Sequence, residues 1–292
     1  MKILLTGATG FLGKKFYNTW NLNHEVIGIG RSKDNQIICD LSTQIPVIPE
    51  VEMVVHAAGL AHRVPVSISQ EKEFMDVNLG GTANLLQAIQ NYSKAPDLFV
   101  FISSVSVYGC ETGEEINESF PLLANDAYGK SKIAAEKMII DWSNTNKIPA
   151  IILRLPLVTG QDPPGNLGAM IAAIRKGYYF RVGQGVAKRS VVHALDVAEM
   201  IPRLPKQSGI YNLTASKHPS IFEIDTVIAK KLAVKIKSLP ESLARILAFT
   251  GDIFPFIPFN SKRLQKLTAS LTFSDKLARS QIQWKPGNGL DF

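Results

Sequence analysis

Lys2-Ile3-Leu4-Leu5-Thr6-Gly7-Ala8-Thr9-Gly10-Phe11-Leu12-Gly13 decides the fold of this chain. Residues 2–5 read as a buried first strand, and the glycines that follow predict a tight turn into a helix reaching about Trp20. Glycines at such a turn let backbone approach a pyrophosphate, which then sits on the N–H groups at the helix start. The spacing is G-x-x-G-x-x-G rather than G-x-G-x-x-G, and an ordinary loop can also be glycine-rich. The position between strand and helix favours dinucleotide binding, with Gly7, Gly10 and Gly13 as the cradle.

Working outward, a second strand over Glu25 to Gly30 ends at Arg31-Ser32. An acidic residue near this point would hold a ribose 2′-hydroxyl, whereas an arginine accommodates a 2′-phosphate. Arg31 and Ser32 therefore argue for NADP(H) over NAD(H), although Arg31 would also serve as a solvated or adenine-stacking side chain. A third strand, Gln36 to Cys39, delivers Asp40 as a partner for the adenine amino group. A fourth, Glu52 to Val55, leads into His56-Ala57-Ala58-Gly59, whose small residues let a cofactor lie close. His56 reads as a packing or hydrogen-bonding residue rather than a catalyst. A helix over about 70–92 shows apolar spacing through Phe74, Val77, Gly81, Leu85, Ala88 and Tyr92. Asn78, a poor choice for a helix interior, and the Gly80-Gly81 pair interrupt it; Asn78 is a candidate for a local polar role, with a plain surface Asn as the alternative.

The fifth strand, Leu98 to Ile102, ends in Ser103-Ser104-Val105-Ser106-Val107-Tyr108-Gly109. Hydroxyls at the carboxyl end of a central strand face the crevice where such sheets bind ligands. Next comes Tyr128-Gly129-Lys130-Ser131-Lys132, within a helix-compatible stretch from Asp126 to Asn144. Tyr128 and Lys132 are four apart and share a helix face, with Cβ atoms roughly 5–6 Å apart. A phenol with an ordinary pKa of about 10 is a poor acid–base group at neutral pH, and a neighbouring ammonium favours its phenolate. A sixth strand, Ala150 to Leu155, precedes Pro156-Leu157-Val158-Thr159-Gly160. Strands alternating with helices give an α/β fold, a doubly wound parallel sheet.

The totals agree with this reading. The chain has 292 residues, 46% of them hydrophobic and 20% charged, enough for one large or two modest domains. The formal charge of +7 comes from scattered lysines and arginines, which suits anionic small ligands rather than nucleic acid. Cys39 and Cys110 lie far apart and outside any metal-ligand spacing, so two free thiols in a reducing compartment and no metal site are expected. The glycine motif begins too early to leave room for a signal peptide. The stretch Ile246 to Phe259 is short and broken by Asp252 and two prolines, so no membrane span is expected there. Together these point to a cytoplasmic enzyme.

TGATGFLG, HAAG, SSVSVYG, YGKSK, RLPLVTG, KRSVVHALDVAEM (residues 188–200) and SDKLARSQIQWKP (residues 274–286) stand in an order that resembles the extended short-chain dehydrogenase/reductases acting on nucleotide sugars. Within that superfamily the pattern is similar to enzymes of UDP-N-acetylhexosamines, the 4-keto-6-deoxy-sugar reductases and the 4-epimerases, which serve polysaccharide biosynthesis. The resemblance implies a Rossmann domain over 1–160, with 188–213 returning to it, and a smaller C-terminal substrate-binding lobe over most of 161–292. Strands are expected at 190–193 and 209–213. It implies catalysis by Ser104, Tyr128 and Lys132. Lys132 would lower the Tyr128 pKa and bind the nicotinamide ribose. Cofactor contacts would come from Gly7, Gly10, Phe11, Leu12, Gly13, Arg31, Ser32, Asp40, Leu41, Ala57, Ala58, Gly59, Asn78 and Pro156, besides Tyr128 and Lys132. Ser104, Asn166 and Arg189 would meet the UDP-sugar, with Arg189 on its diphosphate. His193 and Asp196 read as structural, Asp196 as a helix cap. Arg263 and Lys266 sit in a basic run that reads as a solvated face, with closure over the diphosphate as the alternative. The family pairs as homodimers through the helices here at about 70–92 and 126–144.

Two departures from the family pattern matter. The 4,6-dehydratases carry Asp-Glu directly after the catalytic Ser/Thr; Val105 and Ser106 stand there instead, which argues against water elimination. Thr159 occupies a position where relatives often have Tyr. The first reading is thus an NADP(H)-dependent reductase of a UDP-4-keto-6-deoxy-N-acetylhexosamine, resting on Arg31. The alternative is a UDP-N-acetylglucosamine or UDP-glucose 4-epimerase that retains NAD(H). A non-enzymatic NADP-sensing regulator is a third, disfavoured by the intact Ser104, Tyr128 and Lys132.

Overall fold

A computed structural model describes residues 1–92, 94–254 and 259–292. The two prolines of the Ile246–Phe259 stretch, Pro255 and Pro258, lie outside the described residues. The first half runs β1 (Lys2–Thr6), α1 (Phe11–Trp20), β2 (Glu25–Gly30), β3 (Ile37–Ile38), β4 (Met53–His56), α2 (Ile68–Met75), α3 (Gly81–Gln90), β5 (Leu98–Ser104), β6 (Gly113–Ile116) and α4 (Ala127–Asn146). The second half runs β7 (Ala150–Leu155), β8 (Leu157–Thr159), α5 (Gly165–Arg175), β9 (Phe180–Val182), β10 (Val191–His193), α6 (Ala194–Met200), β11 (Gly209–Asn212), α7 (Ile221–Leu232), β12 (Lys237–Leu239), α8 (Glu241–Ile253), α9 (Ser261–Thr268), β13 (Leu271–Phe273) and α10 (Lys276–Gln281).

Seven strands form one sheet in the order β11-β7-β5-β4-β1-β2-β3, every pairing parallel. Because side chains alternate along a strand, each central strand fills two cores at once. Ile3, Leu5, Val55 and Val100 join Phe16 and Trp20 of α1 on one face. Leu4, Val54, Phe99 and Phe101 join Leu85 of α3 and Ile139 and Trp142 of α4 on the other. Trp20 stacks on Phe16 at 4.9 Å, and its Nε1 donates to the Ala198 carbonyl at 2.6 Å, tying α1 to α6.

The chain leaves β1 toward β2 and β3, then returns to place β4 on the other side of β1. That reversal opens a crevice at the carboxyl ends of β1 and β4, where open α/β sheets hold ligands. The helix over 70–92 is interrupted, as α2, one π turn at Asp76–Gly80, and α3. The wider turn accommodates the inward-facing Asn78, in keeping with the habit of π turns to mark functional sites. The two late strands also part company. Gly209–Asn212 pairs with β7 at the sheet edge, while Val191–His193 pairs with β8 in a separate two-stranded ribbon. A further apolar cluster gathers Leu167, Ile174, Val191, Ile224 and Ile228 around α5 and α7. Among the described residues no helix is long and apolar enough to cross a membrane.

Candidate active site

The cradle is closed around its glycines. Gly7 has φ +72°, and a Cβ there would lie 2.8 Å from the backbone of Ala58. A Cβ at Gly13 would lie 1.9 Å from the Gly7 carbonyl oxygen, while the Gly10 N–H donates to that same oxygen at 2.9 Å. No side chain caps α1 and no acid stands in its first turn, so the amides of Phe11, Leu12 and Gly13 suit an anion. Across the crevice, a Cβ at Gly59 would come 3.0 Å from Asn78 Oδ1 and 3.4 Å from Lys132 Nζ. Side chains are thus crowded out at positions 7 and 59, where the chain borders the crevice, which fits a dinucleotide lying against the backbone.

At the end of β2, Arg31 is exposed. Ser32 Oγ donates to the Asp34 carboxylate at 3.0 Å. Asp34, passed over by the sequence reading, sits in the same loop as Arg31, and its distance from the glycines was the available signal. Asp40 accepts from the Ser42 amide and hydroxyl at 3.0 and 2.6 Å, and these bonds hold its carboxyl below the ordinary range. Leu41 is buried in the core, and its carbonyl accepts from Asn84 at 2.7 Å.

Three elements bring Ser104, Tyr128 and Lys132 together. Ser104 closes β5, and Gly109 (φ +67°) ends the 3-10 turn that follows it. Asp126 caps α4 by accepting from the Gly129 amide at 3.0 Å. A Cβ on Gly129 would lie 2.4 Å from Ala124 and 3.1 Å from the Ser106 carbonyl, so glycine lets α4 press against the Ser104 turn. Burial pushes the Tyr128 phenol up to about 12, outweighing the pull of the Ser104 hydroxyl toward the phenolate. The Lys132 Nζ donates to the Ile102 carbonyl at 2.9 Å and lies 4.4 Å from the Phe101 ring centroid. Burial draws Lys132 down to about 8, with Glu136 pulling the other way.

Asn78 is stitched into this cluster. Its Nδ2 donates to Ser131 Oγ at 2.8 Å and the Leu60 carbonyl at 3.1 Å, while its Oδ1 accepts from the Leu60 amide at 2.7 Å. Behind it runs a hydrogen-bond chain whose direction its ends assign. The Ala58 amide donates to Thr6 Oγ1, and the Thr82 hydroxyl donates to the Asn78 carbonyl. His56 bridges the two threonines, Nδ1 to Thr6 at 2.7 Å and Nε2 to Thr82 at 3.0 Å. Thr82 has already given its proton away, so Nε2 carries the imidazole hydrogen and Nδ1 accepts. Burial first, then the Lys132 charge, push His56 down to about 3, keeping the ring neutral.

Beneath the site, Arg154 of β7 forks onto Glu136 of α4, Nη2 to Oε2 at 2.6 Å with both side chains buried. Ser103 donates to the same carboxylate, Arg154 Nη1 donates to Tyr108 Oη at 3.0 Å, and Tyr108 donates to Asn212 at 2.8 Å. The sequence reading named neither Glu136 nor Arg154.

The substrate-side residues fall less neatly. Asn166 is exposed in the first turn of α5. Pro156, partly buried, separates β7 from β8. Arg189 Nη1 donates to the carbonyls of Lys188 at 2.8 Å and Ala269 at 2.6 Å, and Nη2 bonds the Lys266 carbonyl, so its guanidinium caps the end of α9. Asp196 does not cap α6, whose N-cap is His193; its carboxylate accepts from the Gly287 amide at 2.9 Å and pins the C-terminal segment. Thr159 is fully buried, its hydroxyl donating to the Gly289 carbonyl at 2.8 Å, so it packs rather than faces a ligand.

A parallel sheet with a glycine cradle at its reversal point and a Ser–Tyr–Lys cluster beside it defines the extended short-chain dehydrogenase/reductase class. The sequence model of the NAD dependent epimerase/dehydratase family matches residues 3–213, more than half of the chain, and the chain belongs to that family. It is 26% identical over 311 residues to UDP-glucose 4-epimerase of Vibrio cholerae, covering 97% of this chain and 90% of that protein. It is 27% identical over 300 residues to N-acetyl-alpha-D-glucosaminyl-diphospho-ditrans,octacis-undecaprenol 4-epimerase of Escherichia coli O157:H7, covering 93% and 86%. In fold it matches UDP-glucuronic acid 4-epimerase of Bacillus cereus, solved with UDP-glucuronic acid and NAD, at a TM-score of 0.75 and 20% identity, covering 99% and 96%.

Proposed function

We propose that the chain is a 4-epimerase of a hexose or N-acetylhexosamine carried on UDP, with a nicotinamide dinucleotide retained through turnover. The reading is carried by likeness, over 97% and 93% of this chain, to two proteins named as 4-epimerases. It displaces the reductase reading, which rested on Arg31. Asp34 in the same loop offers a carboxylate to a 2′-hydroxyl, so the loop no longer argues for a 2′-phosphate alone.

The dinucleotide would be held by Gly7, Gly10, Gly13 and the Ala57–Gly59 backbone. When bound it supplies the hydride acceptor and donor for the sugar C4. Tyr128 takes the C4 hydroxyl proton and returns it, and Ser104 polarises the same oxygen. A phenol held near 12 stays almost wholly protonated at neutral pH and offers little phenolate, so positive charge must come close to it. Lys132, four residues along the same helix, supplies that charge while it is protonated, below about pH 8. Water elimination would need a further acid and base beside Ser104. Val105 offers neither, and the Ser106 hydroxyl, no carboxyl acid or base, accepts from Ser104 at 3.1 Å. Pairing of two chains through α2, α3 and α4 belongs to the same proposal and is read by gel filtration.

The test incubates the purified protein with UDP-N-acetylglucosamine and, separately, UDP-glucose, following the sugar signals by proton NMR. Formation of the C4 epimer without added nucleotide, with NAD(H) released on denaturing the protein, is the expected result. An empty protein that consumes NADPH only with a 4-keto sugar would return the assignment to the reductase.

A further inference from the structure

The C-terminal lobe carries a helix with its hydrophobicity turned outward. Ala244 and Ala248 are fully buried, and Gly251 joins them one turn on, all facing the protein. A Cβ at Gly251 would lie 1.8 Å from the Phe259 carbonyl oxygen, so this seam admits only small residues. The large side chains of α8 point away: Leu243, Ile246, Leu247, Phe249 and Ile253 are 45%, 61%, 44%, 63% and 54% exposed. At about 100° per residue these five span roughly 160° of the helix surface. A helix packed on a globular core ordinarily shows the reverse arrangement, and a contiguous apolar face of this kind marks an interaction site.

We propose that this face docks on an anionic phospholipid surface, making the enzyme a peripheral membrane protein. Charge chooses the occupant. From residue 235 to 268 the chain carries six Lys/Arg against two Asp/Glu. Arg245 borders Phe249 on the helix surface, and Arg263 is exposed on α9, which packs on α8. Lys262 and Lys266 reach Glu111 at 3.5 and 3.0 Å and Arg245 pairs with Glu241 at 2.7 Å, which offsets part of this charge, while the six cations against two acids of this stretch keep it basic on balance. An apolar helix face flanked by cations matches the boundary of a bilayer with acidic headgroups, where each nearby Lys or Arg adds attraction. A second copy of the chain fits less well, because a twofold contact would bring each basic rim against its own copy. The inference stands on α8 and its surroundings alone and does not depend on the epimerase reading.

Full-length protein would be sedimented with phosphatidylcholine vesicles and with vesicles containing phosphatidylglycerol. Expected are pelleting with the acidic vesicles, weakening as salt is raised, and little pelleting with phosphatidylcholine alone. Ile246→Ser and Phe249→Ser should each lower partitioning on the order of tenfold, while thermal stability and turnover of a soluble UDP-sugar stay unchanged. Turnover is read separately, so either reading can fail alone. Wild-type protein that never pellets, or a double variant that pellets like wild type, would overturn the proposal. So would a wild-type dimer that the variant splits, since the face would then belong to a second copy.

Discussion

Replacing Lys132 by Met isolates the cost of placing a cation in this site. In the folded protein Lys132 is 6% exposed, and burial draws it from 10.5 down to about 8. The unfolded chain keeps the ordinary value. Between about pH 8 and 10.5 the unfolded chain therefore holds a proton that the folded protein has released, and wild-type stability rises with pH through that window. At about 1.4 kcal/mol per pH unit the full gain is roughly 3 kcal/mol. It is complete above the unfolded value and lost as pH falls through the folded one. A Lys132→Met variant has no such proton. Its stability relative to wild type should fall by that amount from neutral to strongly alkaline pH, whatever constant offset comes from the lost bond to Ile102. Urea denaturation of both proteins across the range measures this difference. Activity should move oppositely, wild-type turnover declining as pH rises through about 8 because the ammonium beside Tyr128 is lost. A stability difference flat across the alkaline range would refute the reasoning, because Lys132 would then titrate as a solvated lysine.

Three further outcomes are expected. Gly13→Ala places a Cβ 1.9 Å from the Gly7 carbonyl and should abolish nucleotide binding, measured by fluorescence titration with NADH. Arg154→Met strands the buried Glu136 carboxylate and should cost about 3–5 kcal/mol in urea denaturation, much of it recovered in Arg154→Met/Glu136→Leu. Tyr128→Phe removes the acid–base group and should lower kcat by about 10²–10⁴ while leaving nucleotide affinity intact, checked by kinetics and the same titration.

The parallel sheet was legible because its strands are short apolar runs set between glycines and helices, and burial on both faces demands such runs. The Ser104–Tyr128–Lys132 cluster was legible too, since a strand end and a four-residue helical spacing place those groups almost by themselves. Other features depend on contacts that spacing does not encode. The π turn at Asp76–Gly80 exists where Asn78 meets both Leu60 and Ser131, partners in two distant segments. Arg189 looked free for a diphosphate because the carbonyls it caps belong to α9, about eighty residues later. Arg154 could have been noticed. A lone arginine inside the apolar strand Ala150–Leu155 calls for a buried acid, and Glu136 stands one turn beyond Lys132 on α4. Spacing alone does not report how far a phenol is desolvated, or that the lysine's ammonium donates to the Ile102 carbonyl.

The bridge from Thr6 through His56 to Thr82 has a consequence for how this chain can vary. Its proton order has one solution, so position 56 must accept on one side and donate on the other across the width of a ring. Carboxylates only accept and so fail at Thr82, and ammonium groups only donate and so fail at Thr6, so neither can take its place without a change at one of the threonines. Positions 6, 56 and 82 are therefore bound as one unit of inheritance. Among natural homologues they should be kept together or exchanged together, and a homologue that lacks one should also have remodelled the two strand ends that border its crevice.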